Sequence, residues 1–156
     1  MIKGTDYQDT LWTKTTNRIR QVLNGTLKKY NTYIAPEYTE SGNCSIRIWP
    51  TTIELVEMYG NTGWRRRENL EIVYYEKTLA DNYNFYQQFF TNFDEIYQLM
   101  FNNTNEDNPA GSGNSLYWFD GKVDSVVINE LTDDESEING LHSIKLNFSC
   151  ITTNIQ

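Results

Sequence analysis

Apolar and polar positions change their period several times along the chain, and each change marks an element. Over residues 6–30 the spacing is helical. Turning about 100° per residue from Leu11 gathers Leu11, Trp12, Thr15, Ile19, Val22, Leu23, Leu27 and Tyr30 on one side, against Lys14, Asn17, Arg20, Gln21, Asn24 and Lys28 on the other. Thr5 followed by Gln8 has the form of a capping box, while Asp9 caps a shorter version of the same helix. Lys28 and Lys29 complement the helix dipole at its C-terminal end, and Gly25 is either a tolerated interior glycine or the stop.

From residue 33 to residue 77 the period drops to two. Cys44-Ser-Ile-Arg-Ile-Trp49 alternates, Pro50 interrupts, and Ile53-Glu-Leu-Val-Glu-Met-Tyr59 resumes. A turn at residues 60–63 leads to Leu70-Glu-Ile-Val-Tyr-Tyr-Glu76. These runs predict three strands, with Tyr33 and Ile34 adding a short edge strand before Pro36, and the short connections predict antiparallel neighbours.

Asp81 or Asn82 then caps a second helix that reaches Phe101. Its apolar arc holds Leu99, Phe85, Ile96, Phe89, Met100, Phe93, Tyr86, Tyr97, Phe90 and Phe101 and is about 200° wide, roughly double what one sheet requires. Tyr86, Phe90, Tyr97 and Phe101 lie on the outer edge of that arc and need cover, from either the first helix or another subunit. Residues 102–115 read as a polar loop. Two further strand-like runs follow, residues 116–131 and 142–153, separated by a charged hairpin tip at residues 132–140. Within the first of them Asp120-Gly121 is either a type I′ hairpin or a bulge in one long strand. The order predicts one α+β domain spanning residues 1–156. Its N-terminal helix and aromatic-rich second helix pack on a mostly antiparallel sheet of about five to six strands.

Composition narrows the chemistry. The chain has 156 residues, with 13 Lys plus Arg against 21 Asp plus Glu, for a net charge of −8. That charge repels nucleic acid and anionic lipid. Tyr 11, Phe 7 and Trp 4 are too many rings for a disordered acidic tail. A single histidine, His142, excludes a two-histidine zinc site or an HExxH helix, and no Ser, Cys or carboxylate motif surrounds it. Cys44 and Cys150 are far apart in sequence, each inside a strand-like run, and in a reducing compartment they are read as two buried thiols. The cluster Asp133, Asp134, Glu135 and Glu137 lacks EF-hand spacing, and Gly111-Ser-Gly113 lacks the lysine of a phosphate loop. Neither an apolar run of membrane-spanning length nor a signal-peptide core is present, so the expectation is a soluble protein kept in the cytosol with no membrane partner. No nucleophile or metal constellation is in view, which makes an enzyme the least favoured class, and no metal or cofactor is expected.

Trp64-Arg65-Arg66-Arg67 is the one basic concentration. Consecutive arginines at a strand entrance point to both faces and are expected not to pair locally all at once. They are either a solvated turn bridged to Glu68 or Glu71 or an intersubunit contact, since Arg and Trp are enriched at interfaces. The interface candidates are therefore Trp64, Arg65, Arg66, Arg67, Tyr86, Phe90, Tyr97 and Phe101.

In this layout the sequence resembles the tail terminator (tail completion, or neck) proteins of tailed bacteriophages. The resemblance is carried by the N-terminal helix, Ile46-Arg-Ile-Trp-Pro50, Glu54-Leu-Val-Glu-Met-Tyr59, the LEIVYYEK strand of residues 70–77, the aromatic helix of residues 83–101, Tyr117-Trp-Phe-Asp-Gly121 and Leu146-Asn-Phe-Ser-Cys150. It implies a small structural α+β protein that assembles as a hexameric ring, ends tail-tube polymerisation and forms the surface to which the filled head attaches. Tail tube protein and head-tail connector proteins would be its partners, and genomic DNA would pass transiently through the lumen. The protein would reside in the virion after assembly in the host cytoplasm. An acidic wall would let DNA slide, and residues 102–115 and 132–140 are candidates to reach adjacent rings. The alternatives are another connector ring of the neck, or a small-molecule or carbohydrate binding module, which needs an apolar pocket with convergent polar groups.

Overall fold

A computed structural model describes residues 9–60, 63–79, 82–107 and 116–155. The fold is α+β, with a mixed six-stranded sheet in the order β1-β2-β3-β6-β5-β4. The strands are β1 (Asn31–Ile34), β2 (Cys44–Met58), β3 (Gly63–Lys77), β4 (Glu106–Asp107), β5 (Leu116–Ile128) and β6 (Leu141–Ile155). Helix α1 (Asn17–Thr26) is preceded by a π-helical turn (Leu11–Thr16), and α2 (Tyr83–Asn102) and the short α3 (Asp133–Ser136) complete the fold.

The first helix follows the shorter of its two capping options. Asp9 Oδ1 accepts from the Trp12 N–H at 3.0 Å, while Thr5 and Gln8 lie outside the described residues. Thr15 and Thr16 each return a hydroxyl to the Leu11 carbonyl, at 2.8 and 2.6 Å. Such back-bonding competes with the regular ladder and accompanies the wider π turn. Gly25 is interior, one residue before the helix ends.

Two expected interruptions in the sheet are absent. Pro50 does not split β2. The β1 ladder stops opposite Ile48, so β2 is already an edge strand at Pro50, where proline is tolerated, and a register shift between Pro50 and Thr52 absorbs it. Similarly, β3 starts at Gly63 rather than Leu70, carrying the arginines into the middle of the sheet, hydrogen-bonded to β2 on one side and β6 on the other. β1 is the expected edge strand, but it runs parallel to β2. Asp120-Gly121 is a bulge within one long β5, with Asp120 at φ 50° and a register shift between Phe119 and Lys122. The tip between β5 and β6 contains α3, capped by Thr132 Oγ1 accepting from the Glu135 N–H at 3.2 Å.

The two sheet faces differ. On one, Ile46, Ile48, Leu70, Ile72, Tyr74, Ile144, Leu146 and Phe148 form the core with Ile19 and Leu23 of α1 and Phe89, Phe93, Ile96 and Met100 of α2. Asn82 Oδ1 caps α2 by accepting from the Phe85 N–H at 3.0 Å; Asp81 lies outside the described residues. The other face is covered only near Val73, Tyr75 and Leu141, by Tyr38, Leu131 and Ile138. Both cysteines are free thiols, but only Cys150 is buried as expected; Cys44 is half-buried, because it opens β2 one residue before the β1 ladder begins at Ser45.

Candidate subunit interface

The arginine run is placed by β3. Alternation sends Arg66 to the helix-bearing face and Arg65 and Arg67 to the other. All three find partners within the chain, contrary to the expectation from their spacing, because the flanking strands bring carboxylates alongside. Arg65 Nη1 is 3.7 Å from Glu57 of β2. Arg66 donates to Thr10 Oγ1 at 2.7 Å and to Glu68 at 3.4 Å, with its guanidinium 4.2 Å above the Trp64 ring. Arg67 pairs with Asp120 of β5 and donates to Ser149 at 3.1 Å. Glu71, the other anticipated partner, binds the buried Arg47 at 2.8 Å instead. Arg65 keeps the greatest exposure of the three, 40% of its side chain, and its buried Nε has no partner among the described residues.

The aromatic candidates form the outer row of α2. Tyr86 stacks on Phe90 and Tyr97 on Phe101, ring to ring at 6.4 and 6.2 Å, as i,i+4 neighbours on a helix do. Phe90 and Phe101 are exposed, at 44% and 58%, and Tyr86 and Tyr97 are half-buried. The first helix does not cover this row: α1 lies over β1, at the opposite side of the sheet, whereas α2 lies over β5. Val126 and Ile128 of β5 are exposed beside it on the same face. His142 sits inside the aromatic group, 4.9 Å from the Phe85 ring centroid, as a packing residue.

A second apolar surface was not singled out from sequence. From residue 51 to residue 58 every position of β2 is exposed, including Ile53, Leu55, Val56 and Met58, the last two at 51% and 65%. Ile53, Leu55 and Met58 pair with Glu68, Arg66 and Trp64, which places them on the helix-bearing face; Trp12, also exposed, belongs to the π-helical turn on that face. The alternating IELVEM run signals a strand from sequence alone. What it cannot signal is that neither helix reaches this corner.

Chemistry elsewhere is sparse. A cavity of about 280 Å³ on the opposite face is lined by Arg47, Glu71, Tyr75, Glu130, Glu135 and Lys145. Its walls are ion pairs, Arg47 with Glu71 and Lys145 with Glu130, instead of an apolar pocket with convergent polar groups. Burial pushes the Cys150 thiol well above its ordinary range, away from a reactive thiolate. Among the described residues no cluster of His, Cys, Asp or Glu could hold a metal ion, and no helix is long and apolar enough to cross a membrane.

No protein-family model and no curated protein sequence matches the chain. Among solved structures, the chain is similar to the sheath/tube terminator of an extracellular contractile injection system (PVC) in its extended state, with a TM-score of 0.46 and 12% sequence identity. The similarity covers 91% of this chain and 57% of that one, so this chain spans little more than half the length of the protein it matches.

Proposed function

We propose that residues 1–156 act as one structural unit, a tail terminator subunit that forms a ring at the head-proximal end of a phage tail. The ring, hexameric as the resemblance implies, stops polymerisation of the tail tube. It offers its other surface to the head-tail connector proteins, and genomic DNA crosses its lumen. The protein works through surfaces, without catalytic residues or cofactor, and resides in the virion after assembly in the host cytoplasm.

The observation that carries this reading is the pair of exposed apolar flanks at opposite sides of one sheet: Ile53, Leu55 and Met58 at the β2 side, and Phe90, Phe101, Val126 and Ile128 at the β5 side. A two-fold dimer uses one patch twice, whereas a ring needs two different patches that meet head to tail. Native mass spectrometry and electron microscopy of the purified chain test the ring directly. Tails assembled without the protein should be over-long and headless. Normal-length, head-bearing tails formed in its absence would overturn the proposal.

A further inference from the structure

The edges of the sheet, and not only its faces, are arranged to join copies. Among the described residues, β1 pairs with β2 only as far as Ile48, which leaves the outer edge of β2 open over residues 51–58. Among the described residues, β4 pairs with β5 at Leu116 and Trp118 and the Gly121 N–H donates to the Thr104 carbonyl, which leaves the outer edge of β5 open over residues 122–128. Each open edge presents unpaired backbone donors and acceptors beside exposed apolar side chains, a template for another strand. The open stretches are similar in length, and their blocked ends are complementary. In an antiparallel pairing, β1 of one copy lies beyond Ile128 of the next, and β4 of that next copy lies beyond Met58 of the first.

Strand direction fits as well. The steps β2 to β3, β3 to β6 and β6 to β5 are all antiparallel, so β2 and β5 run in opposite directions. A rotation about an axis along the strands preserves direction, so β2 of one copy meets β5 of the next antiparallel. It preserves the faces too, setting Ile53, Leu55 and Met58 on the same face as Val123, Val126 and Ile128. We infer that a second copy of this chain adds its β5 edge to the β2 edge of the first, so that one antiparallel sheet continues from subunit to subunit. The inference rests on the ring reading above and names the contact that builds it.

Charge selects the register. Paired side chains must share a face, and Glu54, Glu57, Lys122 and Ser125 all lie on the face away from the helices, opposite Arg67, Arg65, Ser149 and Asn147. One face-matched register sets Ile53 against Val126, Glu54 against Ser125 and Glu57 against Lys122, which has no ion pair of its own among the described residues. Shifting by two residues sets Glu57 against Asp124 instead, and like charges directly opposite are unfavourable. A two-fold pairing of β2 with itself sets the acidic Glu54 and Glu57 of both copies side by side and leaves β5 open.

The test is disulfide trapping in a Cys44→Ser background. Glu54→Cys combined with Ser125→Cys should give, on mild oxidation, a reducible ladder of oligomers ending in a closed ring, and neither single substitution should cross-link. Dimers from Glu54→Cys alone would show two-fold edge pairing and overturn the inference. Rings in native mass spectrometry without any ladder from the double variant would overturn the strand contact while leaving the ring intact. A chain that stays monomeric at high concentration and gives no ladder would overturn both. As a second measurement, Lys122→Glu should shift the wild-type ring toward monomer, and adding Glu57→Lys should restore it; rings unaffected by Lys122→Glu would count against the register.

Discussion

Glu68 Oε1 accepts a hydrogen bond from Thr152 Oγ1 at 2.6 Å, joining β3 to β6 through a carboxylate with no exposed surface. Its other oxygen lies 3.1 Å from Thr15 Oγ1, whose single proton it shares with the Leu11 carbonyl, and Arg66 Nε stands 3.4 Å from Oε1. One side chain thereby ties the π-helical turn to two strands. Removing one partner of a buried charge leaves the rest uncompensated. Glu68→Ala should lower unfolding stability by about 3–5 kcal/mol, and Glu68→Gln, which keeps the shape and one acceptor oxygen but not the charge, by less. Urea denaturation checks both, as a fall in midpoint with unchanged slope.

Burial raises the hydroxyls of Tyr74 and Tyr75 above the usual tyrosine value of 10.0, with the Glu76 hydrogen bond also acting on Tyr74. A group whose folded pKa is raised contributes stability that is present below its unfolded pKa and lost as pH climbs toward the folded value. Stability should therefore hold below pH 10.0 and fall above it. In an alkaline titration followed by tyrosinate absorbance, these two rings should ionise only as the chain unfolds. Tyr74→Phe and Tyr75→Phe should each flatten that decline.

Gly140 adopts φ 78°, and a Cβ there would collide with the carbonyl oxygen of Thr78 and come within 2.7 Å of its carbonyl carbon. The Thr78 N–H also donates to the Gly140 carbonyl at 2.9 Å, so the two backbones cannot separate freely. Gly140→Ala should cost at least about 1 kcal/mol, seen as a lower thermal midpoint. Gly60→Ala, at φ 62° but with open space around it, should cost less.

Leu55 and Met58 are 62% and 65% exposed, so replacing both with serine should change folding stability by no more than about 0.5 kcal/mol per site. The same double variant should lose ring formation. Size-exclusion chromatography beside a thermal melt separates the two effects: an intact melt with a smaller particle is expected, and an unchanged particle would remove the β2 flank from the interface.

Much of the fold was legible because its signals were local. The Asn82 cap, the 3.6-residue period of the two long helices and the period of two in β6 each depend on near neighbours in sequence. The errors arose where a distant strand decided the outcome. Residues 64–67 look unlike a strand until β2 and β6 supply partners for three guanidinium groups, and Pro50 looks like a break until β1 stops short of it. For the candidate interface, the outer row of α2 could be read from the width of its apolar arc. The β2 flank could not, because its exposure follows from where α1 and α2 lie and from no property of residues 51–58 themselves.

The face of the sheet turned away from α1 and α2 has a further consequence. Arg65, Arg67 and Lys145 on that face are each held against a carboxylate, Glu57, Asp120 and Glu130. Such pairs act at a distance as dipoles, whose field decays faster than that of separate charges and is screened within about 8 Å at physiological salt. Between them stand neutral Asn69, Asn147 and Ser125, with Glu54 and Lys122 adding one charge of each sign. If the proposed ring turns this face to its lumen, the strongly acidic chain offers a passing polyanion a wall whose charges locally nearly balance, with little to grip the polymer or to push it away.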